Sequence, residues 1–153
     1  MKIAWQYLDK RNAAIRALKD YESMGYILEH TAEEMRNIRE KMEGCSAPIL
    51  SGMPKAPWNP GAGEERMVRQ MDEMDVQSAR HQQAEEYMAW FQPAWEALSE
   101  DERYLLQRFF CCEENRQIEN ISEICERFHI ERTSAYKKKD RALAHLTLLL
   151  YGK

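Results

Sequence analysis

The stretch ISEICERFHIERTSAYKKKDRALAHL, Ile121–Leu146, decides the fold. Asn120 with Glu123 three residues on reads as an N-cap pair. Ile121, Ile124, Cys125 and Phe128 recur at helical spacing, which predicts a short helix with those side chains inward. His129, Ile130 and Glu131 then form a short turn, and a longer helix runs from about Arg132 to Leu150. At steps of about 100° per residue, Ala135, Ala142, Leu146 and Leu149 fall on one side of that helix. Thr133, Tyr136, Lys137 and Asp140 fall opposite, with Arg132, Lys138, Lys139 and Arg141 on the flanks.

A short helix, a three-residue turn and a longer basic helix follow one another in helix-turn-helix order. The second helix of such a pair needs an apolar face to pack and a polar, basic face to enter a major groove. Its first turns meet base edges while its flanks hold phosphates. The base-edge candidates are therefore Arg132, Thr133, Ser134, Tyr136 and Lys137, and the phosphate candidates are Lys138, Lys139 and Arg141. A basic run alone is usually a solvated face. The helix and turn before this one make double-stranded DNA the expected partner.

Upstream, LSEDERYLLQRFF (Leu98–Phe110) opens with Ser99 and Glu102 at capping-box spacing, and Leu105, Leu106, Phe109 and Phe110 supply its apolar face. Residues 44–63 hold all but one of the chain's prolines and read as a linker, in which Met53 and Trp58 are suited to dock on a helix. Two long helices flank it. In 1–43, Tyr21, Met24, Leu28, Thr31, Met35, Ile38 and Met42 form a seam that Ala4, Leu8, Ile15 and Leu18 extend upstream. Gly25 weakens its middle by about 1 kcal/mol. In 64–92, Met67, Met71, Met74, His81 and Met88 form a second seam with Ser78 and Glu85 at its polar steps, beside a stripe of Ala84, Tyr87, Phe91 and Leu98. Pro93, which cannot donate the helical hydrogen bond, marks a kink or a fresh start. The expected fold is all-α: a long N-terminal helical hairpin, or a coiled coil formed through the same seams, followed by a compact helix-turn-helix domain over 93–153. The length of the seams predicts a homodimer.

The net charge is −4, but it is unevenly distributed. Residues 129–153 carry six basic and two acidic side chains, whereas 95–128 carry four and nine. All the excess positive charge lies in the segment expected to meet DNA. No run approaches the roughly 20 apolar residues of a membrane span, and the charged N-terminus does not read as a secretory signal. A cytoplasmic protein with reduced cysteines is expected.

Ile121–Leu146 resembles the fourth region of sigma-70-type transcription initiation factors, which contacts the −35 promoter element. The family's pattern of S-x-x-E-I-A, G-I-S, a recognition helix and R-A-L-x-x-L is matched at Glu123, Ile124, Ile130, Arg132, Arg141, Ala142, Leu143 and Leu146. ERTSAYKKKDRALAHLTLLLYG is similar to the C-terminal end of sigma-like regulators of phages and mobile elements, the ArpU and RinA type. The resemblance spans Trp95–Tyr151 and only loosely the N-terminal part, where SGMPKAP is similar to the loop after those regulators' first helix. It implies promoter DNA as ligand and RNA polymerase as partner. Three positions depart from the pattern: His129 replaces the turn glycine, Glu131 the serine cap, and Lys138 an apolar residue.

Other readings are weaker. Cys111, Cys112, Cys125 and His129 approach zinc-finger spacing, yet adjacent cysteines make tetrahedral ligation awkward and Cys125 suits a small apolar site. No metal or other cofactor is expected. No phosphate loop, nucleophile elbow or metalloprotease motif is present, and the four histidines are scattered, so no enzyme is expected. A phage terminase small subunit also joins a helix-turn-helix to oligomerising helices, but usually places the DNA-binding part first. A pure coiled-coil scaffold leaves the basic last helix unexplained.

Overall fold

A computed structural model of the chain describes residues 8–44 and 61–152. The expected roles of Ala4, Met53 and Trp58 lie outside them, as does most of the linker. The described residues are all-α: α1 (Lys10–Gly44), α2 (Ala62–Ala97), α3 (Glu100–Phe110), α4 (Gln117–Phe128) and α5 (Arg132–Tyr151), with a 3₁₀ turn at Glu114–Arg116. None of the described helices is long and apolar enough to cross a membrane. The long helix pair and the short C-terminal helices divide into two compact units, Met24–Glu86 and the described parts of Met1–Ser23 with Tyr87–Lys153.

Within Met24–Glu86 the seam of α1 is the expected one. Thr31 and Ile38 are buried, and Met24, Leu28, Met35 and Met42 are half-buried. The helix passes through Gly25 without a break. The seam of α2 is the expected one at Met74, His81 and Met88, which are half-buried, but not at its start, where Met67 and Met71 are each 54% exposed. The Thr31 hydroxyl donates to the Ile27 carbonyl and lies 2.9 Å from His81 Nδ1, which turns His81 toward α1. At about 100° per residue, Gln70 is then only about 20° off the direction of His81, while Met71 is about 80° away. Gln70, Met74, Gln77 and Ala84 therefore take the inward positions.

In the other unit, Ala14, Ala17 and Leu18 of α1 meet Phe91, Ala94 and Trp95 of α2, Leu106 of α3, and Ala142, Leu143, Leu146 and Leu150 of α5 in one core. The Tyr87 hydroxyl donates to the Ala17 carbonyl, and burial pushes this phenol up, so it remains a donor. Tyr21 donates to Gln92 Oε1 at 2.7 Å. The start of α1 thus packs with the C-terminal helices, in a compact unit that takes in the described parts of Met1–Ser23 and Tyr87–Lys153. No new helix begins at Pro93, because α2 continues to Ala97. An internal proline costs about 3 kcal/mol. Pro93 itself is exposed, while Phe91, Ala94 and Trp95 beside it are buried only if the helix runs on. Burial of the two aromatic rings, at roughly 1.5–3 kcal/mol each, offsets the loss.

Ser99 caps α3 as expected, with its Oγ accepting from the Glu102 N–H and Glu102 Oε2 accepting from the Ser99 N–H. The other Glu102 oxygen lies 2.9 Å from His145 Nδ1, tying α3 to α5. Partial burial raises the Glu102 pKa, but the Ser99 amide and His145 outweigh it, and the carboxyl sits below its ordinary value. A depressed carboxylate adds stability above its unfolded pKa and loses it as the pH falls through the folded one. Glu102→Gln keeps a capping side chain but cannot titrate. Its stability is expected to fall less steeply than the wild type's between neutral and acidic pH in urea unfolding, and parallel acid limbs would contradict this role.

Candidate nucleic-acid interface

The expected site is the segment α4–turn–α5, and its turn is built by His129. This residue has φ 51 and ψ 47, and it is the only non-glycine with positive φ among the described residues. Its N–H and that of Ile130, at 3.1 Å, both donate to the Cys125 carbonyl, closing α4. Histidine is among the residues enriched in the left-handed region, so this turn is made without a glycine. Some strain remains, because this conformation costs an L-residue about 1–2 kcal/mol. His129→Gly is expected to raise stability by about 0.5–1 kcal/mol, and His129→Val to lower it. Equal urea midpoints for wild type, glycine and valine variants would contradict a strained turn.

Ile130 packs below the turn with Cys125, Phe128, Ile124, Leu105 and Ala135. Ala135 is fully buried, which leaves no room for a larger side chain and holds the first turns of α5 against α3 and α4. Glu131 begins α5 in extended conformation, without a side-chain cap. The packed face of α5 is Ala135, Ala142, Leu143, Leu146 and Leu150. Leu149, expected inward, is 38% exposed, because Leu143 and Leu150 rotate the packed face away from it.

Opposite that face, Thr133, Ser134, Lys137 and Arg141 are exposed, with Arg132 exposed at the helix start. Ser134, Lys137 and Arg141 share one side of the helix at i, i+3 and i+7. Arg141 is therefore at the middle of the outer face rather than on a flank. Arg132, Lys137 and Arg141 have no ion-pair or ring partner among the described residues. Tyr136 is partly committed, since its ring lies 5.6 Å from that of Phe109.

The two other phosphate candidates sit differently. Lys138 is half-buried and places its ammonium 4.6 Å from the centre of the Phe128 ring. Lys139 lies four residues after Ala135 and three before Ala142, on the packed edge of α5. Its side chain is only 17% exposed, with the ammonium 3.4 Å from Asp140 and within 6 Å of the Phe109, Phe110 and Tyr136 ring centres. Reaching a phosphate would require it to leave them. Asp140 is also held by Arg11 at 2.9 Å, which offsets the one carboxylate in this basic stretch.

No protein-family model, curated protein or solved structure matches the chain.

On α4, Glu119 and Glu126 are exposed and Glu123 pairs with Arg108 at 3.2 Å. The acidic side chains of α4 would repel a polyanion, whereas the exposed cations of α5 would attract one. Asn120 is not the N-cap expected of it, because α4 starts at Gln117, directly after the 3₁₀ turn. Asn120 is 5% exposed, its side-chain Nδ2 buried without a hydrogen-bond partner among the described residues. Cys111 and Cys112 turn their thiols toward the backbone carbonyls of Leu18 and Arg108, and Cys125 packs beside Ile124. Among the described residues, no three His, Cys, Asp or Glu side chains converge as a metal site would need.

Proposed function

We propose that this chain is a sequence-specific, sigma-like transcriptional regulator that binds promoter DNA through α5 and acts there with RNA polymerase. One observation supports this reading above the rest. A three-residue turn delivers a helix whose outer face carries Thr133, Ser134, Lys137 and Arg141 together, and Arg132, Lys137 and Arg141 have no partner among the described residues. Hydroxyls and free cations on the first turns of a helix are what base edges and phosphates require. The promoter and the polymerase in this reading rest on the resemblance of Ile121–Leu146 to the sigma pattern.

The long helices fit a homodimer. Met67, Val68 and Met71 are each more than half exposed within an arc of about 100° on α2, and a second copy would cover them. A single monomeric species in sedimentation across a wide concentration range would exclude it.

The functional test is a pull-down of bacterial RNA polymerase with the purified protein, followed by footprinting of any retained promoter DNA. Retention with protection near a −35-like position is expected. Protection of a site beside packaging genes, with no polymerase retained, would replace this reading by a terminase-type one.

A further inference from the structure

Two neighbouring thiols line one open cleft of about 490 Å³, where the end of α3 meets α1 and α2. Cys111 ends α3 as its C-cap, and Cys112 follows it. Cys112 Sγ lies 3.1 Å from the Arg108 carbonyl and Cys111 Sγ 4.0 Å from the Leu18 carbonyl, and both of those residues line the cleft as well. Cys111 is exposed as a residue, but its thiol is partly covered. That burial and the neighbouring Cys112 push the Cys111 thiol up, so it stays protonated near neutral pH. Tyr21, Trp95 and Tyr104 give the cleft aromatic walls. Among the described residues no third His, Cys, Asp or Glu joins the pair. Two thiols alone are too few for a zinc-type dication, which takes four ligands and needs its thiols deprotonated. They suit an element that binds two sulfurs covalently and brings its own third substituent.

We propose that Cys111 and Cys112 form a chelating site for an organic arsenic(III) species, R–As(OH)₂, whose carbon substituent lies against Tyr21, Trp95 and Tyr104. Each thiol replaces one hydroxyl. Two As–O bonds break, two As–S bonds form, and each thiol proton leaves with a hydroxyl as water. Arsenic stays trivalent, so no oxidant is needed, and protonated thiols are the reacting form. Glu22 and Arg108 both line the cleft, so it does not select for charge, and R–As(OH)₂ is uncharged at neutral pH. Phe109 and Phe110, on which Lys139 rests, directly precede the pair, so the site adjoins the support of α5. Binding rests on the thiols and is measured without DNA, so it can stand if the DNA reading fails.

The test treats the reduced, full-length protein with phenylarsine oxide, which hydrates to R–As(OH)₂ with a phenyl substituent. Intact-mass spectrometry is expected to show one phenylarsenic per chain with the loss of two thiol hydrogens. The adduct should survive excess monothiol and be released by a small 1,2-dithiol. Cys111→Ser and Cys112→Ser should each weaken binding roughly a hundredfold, because the second sulfur then comes from solution. Cys45→Ser combined with Cys125→Ala should leave binding unchanged. Loss of the wild-type adduct in excess monothiol, or full binding in either single serine variant, would overturn the site. In NMR of the adduct, contacts from the phenyl protons to the Tyr21, Trp95 or Tyr104 rings are expected. Their absence would overturn the placement of the substituent.

Discussion

Phe91→Ala is expected to lower the unfolding free energy by about 3–5 kcal/mol, the largest effect of any single substitution considered. Phe91 is fully buried, and its ring centre lies 5.1 Å from that of Tyr21, 5.3 Å from Tyr87 and 5.9 Å from Trp95. Removing it forfeits the transfer of the ring and leaves a cavity that three stiff neighbours cannot collapse to fill. It also removes part of the burial that carries α2 through Pro93. Leu148→Ala provides the comparison: its side chain is 45% exposed and should cost less than about 1 kcal/mol. Urea unfolding followed by circular dichroism measures both. Comparable midpoints for the two variants would mean that Phe91 is not the centre of the core that supports α5.

Arg132→Ala and Lys137→Ala are each expected to weaken specific DNA binding by about 1–3 kcal/mol with little change in stability. Both side chains are exposed and have no partner among the described residues, so their removal orphans none of those residues. Arg141→Ala should weaken binding to all sequences alike and lower the slope of log affinity against log salt by about 1, as for one lost phosphate contact. Lys139→Ala differs from it. That side chain covers three rings, so its loss should appear in stability as well as in affinity. Anisotropy titrations at several salt concentrations separate these outcomes. Full affinity in both Arg132→Ala and Lys137→Ala would remove α5 from the reading of bases.

Much of this architecture is legible in the sequence where a local signal is strong. Ser99 and Glu102 announce α3 because a capping box is satisfied within four residues. The α1 seam is legible because Thr31, Ile38 and four half-buried neighbours keep a regular spacing. The turn at His129 is legible because two helical patterns stop and restart around it. What was misread depended on partners distant in the chain. The phase of α2 follows from the contact of His81 with Thr31, fifty residues away, and hydrophobicity alone favoured Met67 and Met71. Asn120 has the residue type of an N-cap, yet the 3₁₀ turn starts the helix earlier and draws Asn120 inside. Pro93 stops a helix in local reckoning, but local reckoning omits the burial of Phe91 and Trp95. On α5, the central place of Arg141 was available from its spacing to Ser134 and Lys137. The withdrawal of Lys139 onto Phe109 and Phe110 was not, since those rings belong to another helix.

The central claim is that α5 is the surface that meets DNA. The most direct test is to map backbone amide shifts of the ¹⁵N-labelled protein during titration with a short duplex of arbitrary sequence at low salt, where phosphate contacts alone suffice for binding. The result expected is a continuous set of shifts over His129–Arg141, saturating with duplex concentration and reversed by added salt. Shifts confined to Met24–Glu86, or none on α5, would contradict it.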